Sequence, residues 1–349
     1  MAIEFVGTGR AVPHRRVSND DLAAKIDTSD EWIRSHTGIG NRFIADDDTA
    51  TSDLALEAAK NALAMAAGLR NDAGPDERDR AAAETAKSID FIVLGTVSPD
   101  FFGTPSTACI VQNKLGAENA AAMDITAGCT GFIYGLETAA GLLSLGRGRK
   151  RALVIGSEIL TRLTDWNDRA SCVLFGDGAG AAVIEKTDAP DEGPGRRGLV
   201  QTLLYADGSG GESLVIRRGG TRNPFKKGET IDKGIYIEMN GQEVYNFAVK
   251  AVTDTAKALM QSGDINVDDI TWIIPHQANA RIVQAARKRL KIPEEKFYLN
   301  IQEYANTSAA SIPIALDELN RGGNLNRGDI ILTIGFGGGL TYGGNVIVW

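Results

Sequence analysis

Residues Ala121–Phe132 read AAMDITAGCTGF. A strand-like approach ends in a turn carrying Gly128 and Gly131, and an Ala/Leu-rich segment, Gly131–Leu145, continues with helical spacing. A cysteine in that turn, Cys129, would meet the unpaired N–H groups and the positive dipole end of the helix. Both favour thiolate and lower the thiol pKa. The flanking glycines permit a sharp turn and close approach of a substrate. The structural alternative is a small buried hydrophobe, which is what most free cysteines are. Both readings stand at this point. Cys109 (STACIVQ) and Cys172 (ASCVLF) lie in apolar patterns without glycine turns, and core packing is expected for them.

Outward from that turn, short apolar β-branched runs alternate with helical segments. Strands are expected at Phe91–Leu94, Ala152–Ile155, Ala181–Ile184, Trp272–Ile274 and Ile330–Ile334. Helices are expected at Ser52–Ala67, Pro105–Leu115, Gly131–Leu145, Val244–Gln261, Ala278–Leu290 and Ser308–Leu319. The alternation is that of an α/β protein, and uniformly apolar strands imply sheets covered on both faces. Asn71–Ser88 is charged and Ala-rich, a solvated insertion. Lys186–Gly198, with Pro, Gly and mixed charge, has linker chemistry. It divides the chain into 1–187 and 188–349, with elements in similar order in each. Ile216–Gly234 reads as a basic surface loop.

The chain has 349 residues, 43% apolar and 23% charged, the balance of a globular protein of two ordinary domains. A net charge of −8 with no long Lys/Arg run excludes an overall nucleic-acid binder. No run reaches the roughly 18–20 apolar residues of a membrane helix. The start MAIEFVGTGR lacks the basic and apolar regions of a signal peptide. Three cysteines without CxxC spacing point to a reducing, cytoplasmic setting, and three dispersed histidines to no metal site.

His276, in WIIPHQAN (272–279), follows an apolar strand, where α/β sheets bind ligands, and could exchange protons near neutrality. A capping or core histidine is the alternative. Asn306, in YANTSAASIPIA (304–315), is either a helix N-cap or, with His276, a pair of N–H donors for a developing enolate. FGDGAGAAVI (175–184) and GFGGGLTYGG (335–344) fit neither GxGxxG before a helix nor a phosphate loop. Consecutive glycines do expose N–H groups suited to an oxyanion hole.

Taken in order, TSDEWIRSHTG (28–38), GCTGF around Cys129, FGDGAGAAVI, PHQAN (275–279), NTSAASIPIAL (306–316) and FGGG (336–339) resemble the β-ketoacyl-[acyl-carrier-protein] synthase III family. The resemblance spans essentially the whole chain. It implies a thiolase-like fold of two pseudo-duplicated α-β-α-β-α halves, five-stranded each, and a homodimer. It implies Cys129 as the acylated nucleophile, His276 and Asn306 on the malonyl thioester carbonyl, and an oxyanion hole from the Cys129 and Gly338 amides. It further implies Trp32 and Arg169 at the adenine of coenzyme A and Asn279 on the pantetheine arm. Arg281, Arg287 and Lys288, beside Arg289, match the basic patch that receives the acyl carrier protein. Acyl-CoA and malonyl-carrier protein would be substrates, with no cofactor, nucleic acid or membrane involved.

Three departures carry expectations of their own. His36 stands where familiar members have arginine. The 71–88 insertion is long. Asp100–Pro105 (DFFGTP) has one extra residue, which puts Thr104 where an aromatic often limits acyl length, so primers longer than acetyl are expected. Quinolone- or polyketide-type relatives of the same fold are the nearest rivals. A papain-like protease also orders Cys, His and Asn this way but has a CGSCW-type signature, absent here. A non-catalytic carrier-protein scaffold would have no use for all three residues.

Overall fold

In the computed structural model, which describes residues 1–69, 72–146, 148–190, 192–193, 195–231 and 233–349, the apolar runs become the middles of longer strands. Strands β1 (Ala2–Ala11), β2 (Phe91–Gly95), β3 (Ala121–Ile125), β4 (Arg151–Glu158) and β5 (Gly178–Thr187) form one sheet in the order β1-β5-β4-β2-β3. Strands β6 (Gly198–Ala206), β7 (Ile270–Pro275), β8 (Ile330–Gly337) and β9 (Thr341–Val348) form a second, ordered β7-β8-β9-β6. A parallel bridge from Ile273 to Phe297 extends the second sheet beyond β7, at the place β3 holds in the first. Parallel and antiparallel pairings also correspond. β2 is parallel to β4 as β7 is to β8, and the pairs that follow, β4–β5 and β5–β1 in the first sheet and β8–β9 and β9–β6 in the second, are antiparallel.

Helices repeat the same order. In the first half α2 (Thr51–Ala66), α4 (Thr107–Leu115) and α5 (Gly131–Ser144) follow β1, β2 and β3. In the second, α6 (Gly241–Ser262), α7 (Ala280–Leu290) and α8 (Ser311–Arg321) take the equivalent places. Helices α5 and α8 lie between the sheets. Phe132, Ile133, Leu136 and Leu143 of α5 share one buried cluster with Ile312, Leu316 and Leu319 of α8, Val93 and Val154 of the first sheet, and Ile274 and Ile331 of the second. Helices α2 and α4 cover the outer face of the first sheet, and α6 and α7 that of the second. The result is five layers, α-β-α-β-α, which is why the central strands are apolar on both faces.

Charged residues help hold α8 to β1. Asp317, fully buried, accepts from Thr8 Oγ1, Arg10 Nη1 and Arg321 Nε, each at 2.8 Å. Removing one member of a buried ion network leaves the others uncompensated, at a cost of about 3 kcal/mol. Asp317→Ala is therefore expected to lower the urea midpoint by that equivalent with little change in slope.

Several expectations need correction. The 71–88 stretch is largely a helix, α3 (Pro75–Ala86), which buries Ala82, Thr85 and Ala86. It docks on α2 through Arg78–Glu57 and Lys60–Asp79 pairs, both 3.1 Å. The charge run that suggested solvent is its outer face. Cys109 is exposed, because α4 turns Ala108, Val111 and Leu115 inward instead. Cys172 is buried as expected. Asn71, Asp191, Pro194 and Asp232, within the expected insertion, linker and basic loop, lie outside the described residues. No described helix is long and apolar enough to cross a membrane.

Candidate active site

Cys129 sits in a single 3-10 turn, Gly128–Thr130, between β3 and α5. Two side chains clamp that turn. Thr130 Oγ1 donates to Ala127 O (2.6 Å), and Thr341 Oγ1, from the start of β9, donates to the same carbonyl (2.8 Å). Gly128 takes φ +54°, a left-handed conformation that glycine adopts without penalty. The backbone of β8 presses against it: a Cβ on Gly337 would stand 2.3 Å from Cys129 N, and one on Gly128 2.6 Å from Gly338 N. The amides of residues 129 and 338 are thus neighbours because neither side chain intervenes.

His276 follows β7, its N–H continuing the ladder to Ile334 O at 2.7 Å. The ring is buried, edge-on to Phe336, and Nδ1 lies 2.8 Å from Ser311 Oγ at the start of α8. Ser311 Oγ also accepts from Gln277 N–H (3.4 Å), and Nδ1 is the acceptor in place for its hydroxyl proton, which assigns the ring proton to Nε2. Burial pushes the imidazole pKa down to about 3, so it is neutral throughout the physiological range. The unfolded chain takes up a proton near 6.5 that the fold refuses until about 3. His276 therefore makes the fold less stable as pH falls through that window.

Asn306 is held by its backbone to the segment after Cys172. Its N–H donates to Leu174 O (3.0 Å), and Gly176 N–H donates to its carbonyl (3.1 Å). Its Oδ1 accepts from Ser308 N–H at 2.9 Å, which commits the oxygen and leaves Nδ2 as donor. It caps no α-helix; α8 begins five residues later. The 305–308 turn contains two non-glycine residues with positive φ, Ala305 (+57°) and Ser308 (+47°). Such conformations cost about 1–3 kcal/mol each and gather at functional sites.

Cys129, His276 and Asn306 line one cavity of about 310 Å3, together with Phe336 and Gly337. Trp32, Asn279 and Arg281 also line it, near the N-termini of α7 and of α1 (Asp30–Thr37). A second cavity, of about 550 Å3, meets the first at Cys129 and is lined largely by apolar groups, among them Val97, Phe102, Leu160, Ile216 and Ile237. Gly338 and Ser308 line it too. Cys129 thus lines two compartments, the one of about 310 Å3 with two N–H donors.

Other expectations fare differently. Burial pushes the Cys129 pKa up to about 12 in this state, against the smaller lowering by the Ser308 hydroxyl and the Cys129 amide. Thr104 is exposed and lines neither cavity, whereas Phe102 and Gly103, just before it, line the second. Trp32 and Arg169 are in direct contact, the guanidinium 4.6 Å from the ring centroid, with His36 stacked on Trp32 at 4.4 Å. A purine between Trp32 and Arg169 requires Arg169 to swing away from this position and from Asp27 (3.8 Å). Asn279 is the N-cap of α7, its Oδ1 accepting from Arg281 N–H and its Nδ2 donating to His36 O. Arg281 and Lys288 are exposed beside a groove that also contains Arg34. Arg287 instead pairs with Glu294 at 3.1 Å. Glu158, Ser308, Ser311 and Phe336 escaped the sequence reading; only Glu158, an acid ending an apolar strand, left a signal there.

Comparison with known proteins now adds lineage to geometry. Residues 260–349 match the family model for the C-terminal part of 3-oxoacyl-[acyl-carrier-protein] synthase III, and residues 123–211 match a second model of that synthase. A β-ketoacyl-[acyl-carrier-protein] synthase III of Caldanaerobacter subterraneus subsp. tengcongensis is 47% identical over 350 residues, covering 100% of this chain and 98% of the relative. The chain belongs to the β-ketoacyl-[acyl-carrier-protein] synthase III family. The synthase III of Clostridium perfringens strain SM101 is 48% identical, covering 99% of this chain and 98% of that one. The crystal structure of the Aquifex aeolicus synthase superposes with a TM-score of 0.85 at 39% identity, covering 100% of both chains. As a member, this synthase is a condensing acyltransferase of thiolase-like fold.

Proposed function

We propose that this synthase initiates fatty acid synthesis by moving an acyl group from acyl-CoA to Cys129 and condensing it with malonyl-carrier protein. The observation that carries this reading is the meeting of the two compartments at one thiol. The apolar one suits an acyl chain, and the one with His276 and Asn306 suits an incoming thioester. Cys129 sulfur attacks the acyl carbonyl, the amides of Cys129 and Gly338 stabilise the tetrahedral oxyanion, and CoA leaves as its thiol. Malonyl thioester then enters from the Trp32 side. His276 Nε2–H and Asn306 Nδ2–H hold its carbonyl oxygen while CO2 departs, and the enolate carbon attacks the acyl-enzyme, expelling Cys129 as a thiolate that takes up one proton from solvent. No step calls for a cofactor or metal. A neutral imidazole suits this task, since it donates a hydrogen bond without burying a charge.

The chain would act as a cytoplasmic homodimer, divided at 187/188 into halves, the first carrying the nucleophile and the second the donor pair. A cavity of about 550 Å3 beside the thiol, adjoined by an apolar groove that shares Val97, Pro99, Phe102 and Ile216, supports primers longer than acetyl. Acylation rates across an acyl-CoA series are expected to peak beyond two carbons; a rate confined to acetyl-CoA would contradict this.

The carrier protein would dock on the exposed cations of α7. Lys288→Glu with Arg289→Glu, both outside the Cys129 cavities, is expected to raise the KM for malonyl-carrier protein about tenfold at low salt. Acylation by acyl-CoA should stay within about twofold of the parent. Equal loss of both would remove α7 as the docking surface.

A further inference from the structure

Glu158 closes β4 and is fully buried, yet the chemistry above makes no use of it. Its carboxyl accepts from Thr96 Oγ1 (3.1 Å), Val97 N–H (3.1 Å), Ser98 N–H (3.2 Å) and Ser98 Oγ (2.5 Å). Every one of these donors is neutral. Thr96 and Val97 line the acyl cavity, so the carboxyl lies directly behind its wall. Ser308 lines that cavity together with Cys129, Thr96 and Val97, and its hydroxyl lowers the proton affinity of both the Cys129 thiol and the Glu158 carboxyl. That hydroxyl is buried and makes no well-aligned hydrogen bond, and its residue is held at φ +47°. A strained residue that presents an unaligned hydroxyl to both an acid and a nucleophile has the form of a relay rather than of packing.

We propose that Ser308 and Glu158 carry the proton that Cys129 must lose during acylation. As sulfur bonds to the acyl carbon, the S–H proton passes to Ser308 Oγ and the Ser308 O–H proton passes to the Glu158 carboxylate. When the carbonyl re-forms and the C–S bond to CoA breaks, the proton returns through Ser308 to the departing thiolate, so no proton is gained or lost overall. Burial raises the proton affinity of Glu158 above the usual carboxylate range, which narrows its gap to the thiol. The other titratable group at this thiol is His276, neutral and engaged by Ser311. In this relay Ser308 takes the proton from sulfur, and Glu158 acts through Ser308.

The inference rests on Cys129 being the acylated residue, so two readouts are used. The first is the single-turnover rate of acyl transfer to Cys129, measured from pH 5 to 10 in the parent, Glu158→Gln and Ser308→Ala. The second is alkylation of Cys129 by iodoacetamide over the same range, followed on its own peptide, which needs no acyl substrate. Loss of a proton acceptor of this kind costs about 10²–10⁴-fold. Both variants are expected to fall by at least about 10²-fold at pH 7 in both readouts, with rates that climb tenfold per pH unit where the parent levels off. Enzyme acylated in advance should lose far less in condensation, because CO2 leaves before Cys129 takes its proton back. Unchanged acylation and pH profiles in Ser308→Ala would overturn the relay, whether or not Glu158→Gln folds. So would equal loss of acylation and condensation, which is the mark of a structural role. A parent that accepts no acyl group would contradict the functional reading alone, and the alkylation profile would still decide the relay.

Discussion

His276→Ala and Asn306→Ala are each expected to leave acylation of Cys129 near the parent rate and to cut condensation by about 10²–10³-fold, the loss that follows removal of one preorganised donor to a developing oxyanion. Both donors are fixed before substrate arrives. Ser311 Oγ holds the imidazole through Nδ1, and Ser308 N–H holds the Asn306 carboxamide through Oδ1. Because they would act on one oxygen, the double variant should lose far less than the product of the single losses. The pH profile adds a separate check. With its pKa near 3, His276 should add no ionisation to kcat between pH 5 and 9. Rapid-quench acylation and CO2 release from malonyl thioester separate the two half-reactions. Equal loss of both in His276→Ala would remove the assignment of the pair to condensation.

Gly337→Ala should be the most damaging single methyl near the site. Its Cβ would stand 2.3 Å from Cys129 N and 3.1 Å from Cys129 Cα, against backbone on both sides. Neither neighbour can give easily, since β8 is paired through Gly337 with Thr341 of β9 and the nucleophile turn is tied to Thr341. Overpacking of this kind costs about 1–3 kcal/mol or more. The forced shift would also displace the amides that face the thioester, so acylation should fall by at least about 10²-fold. Gly141→Ala on α5 meets nothing within 4 Å and should be neutral or gain about 0.5–1 kcal/mol. Denaturation midpoints and acylation rates of the two variants test the contrast. A well-folded, active Gly337→Ala would show that the turn and β8 need not touch.

The sequence made the nucleophile turn, His276 and the alternation of layers readable because each is local: glycines around a cysteine, a histidine after an apolar run, strands covered on both faces. It was silent on β1, β6 and β9, whose Gly and polar residues interrupt the apolar pattern, and it hinted at the duplication only through a similar order of elements in each half, because the duplication lies in strand pairing rather than in sequence similarity. Helix α3 was misread because its buried face is only Ala82, Thr85 and Ala86. The raised proton affinity of the thiol went unread for a related reason. A helix N-terminus can be read from Gly128–Gly131, but the burial that pushes Cys129 up to about 12 is assembled from both halves of the chain. Ser308 and Glu158, 150 residues apart, had no local motif to join them.

The account turns on Cys129 as acyl acceptor. Intact-protein mass spectrometry after incubation with acetyl-, butyryl-, octanoyl- and lauroyl-CoA, beside Cys129→Ala, tests it most directly. One acyl adduct per chain in the parent and none in the variant is the expected result. An adduct that persists in Cys129→Ala, or none from any of these thioesters in an enzyme that still condenses, would contradict it.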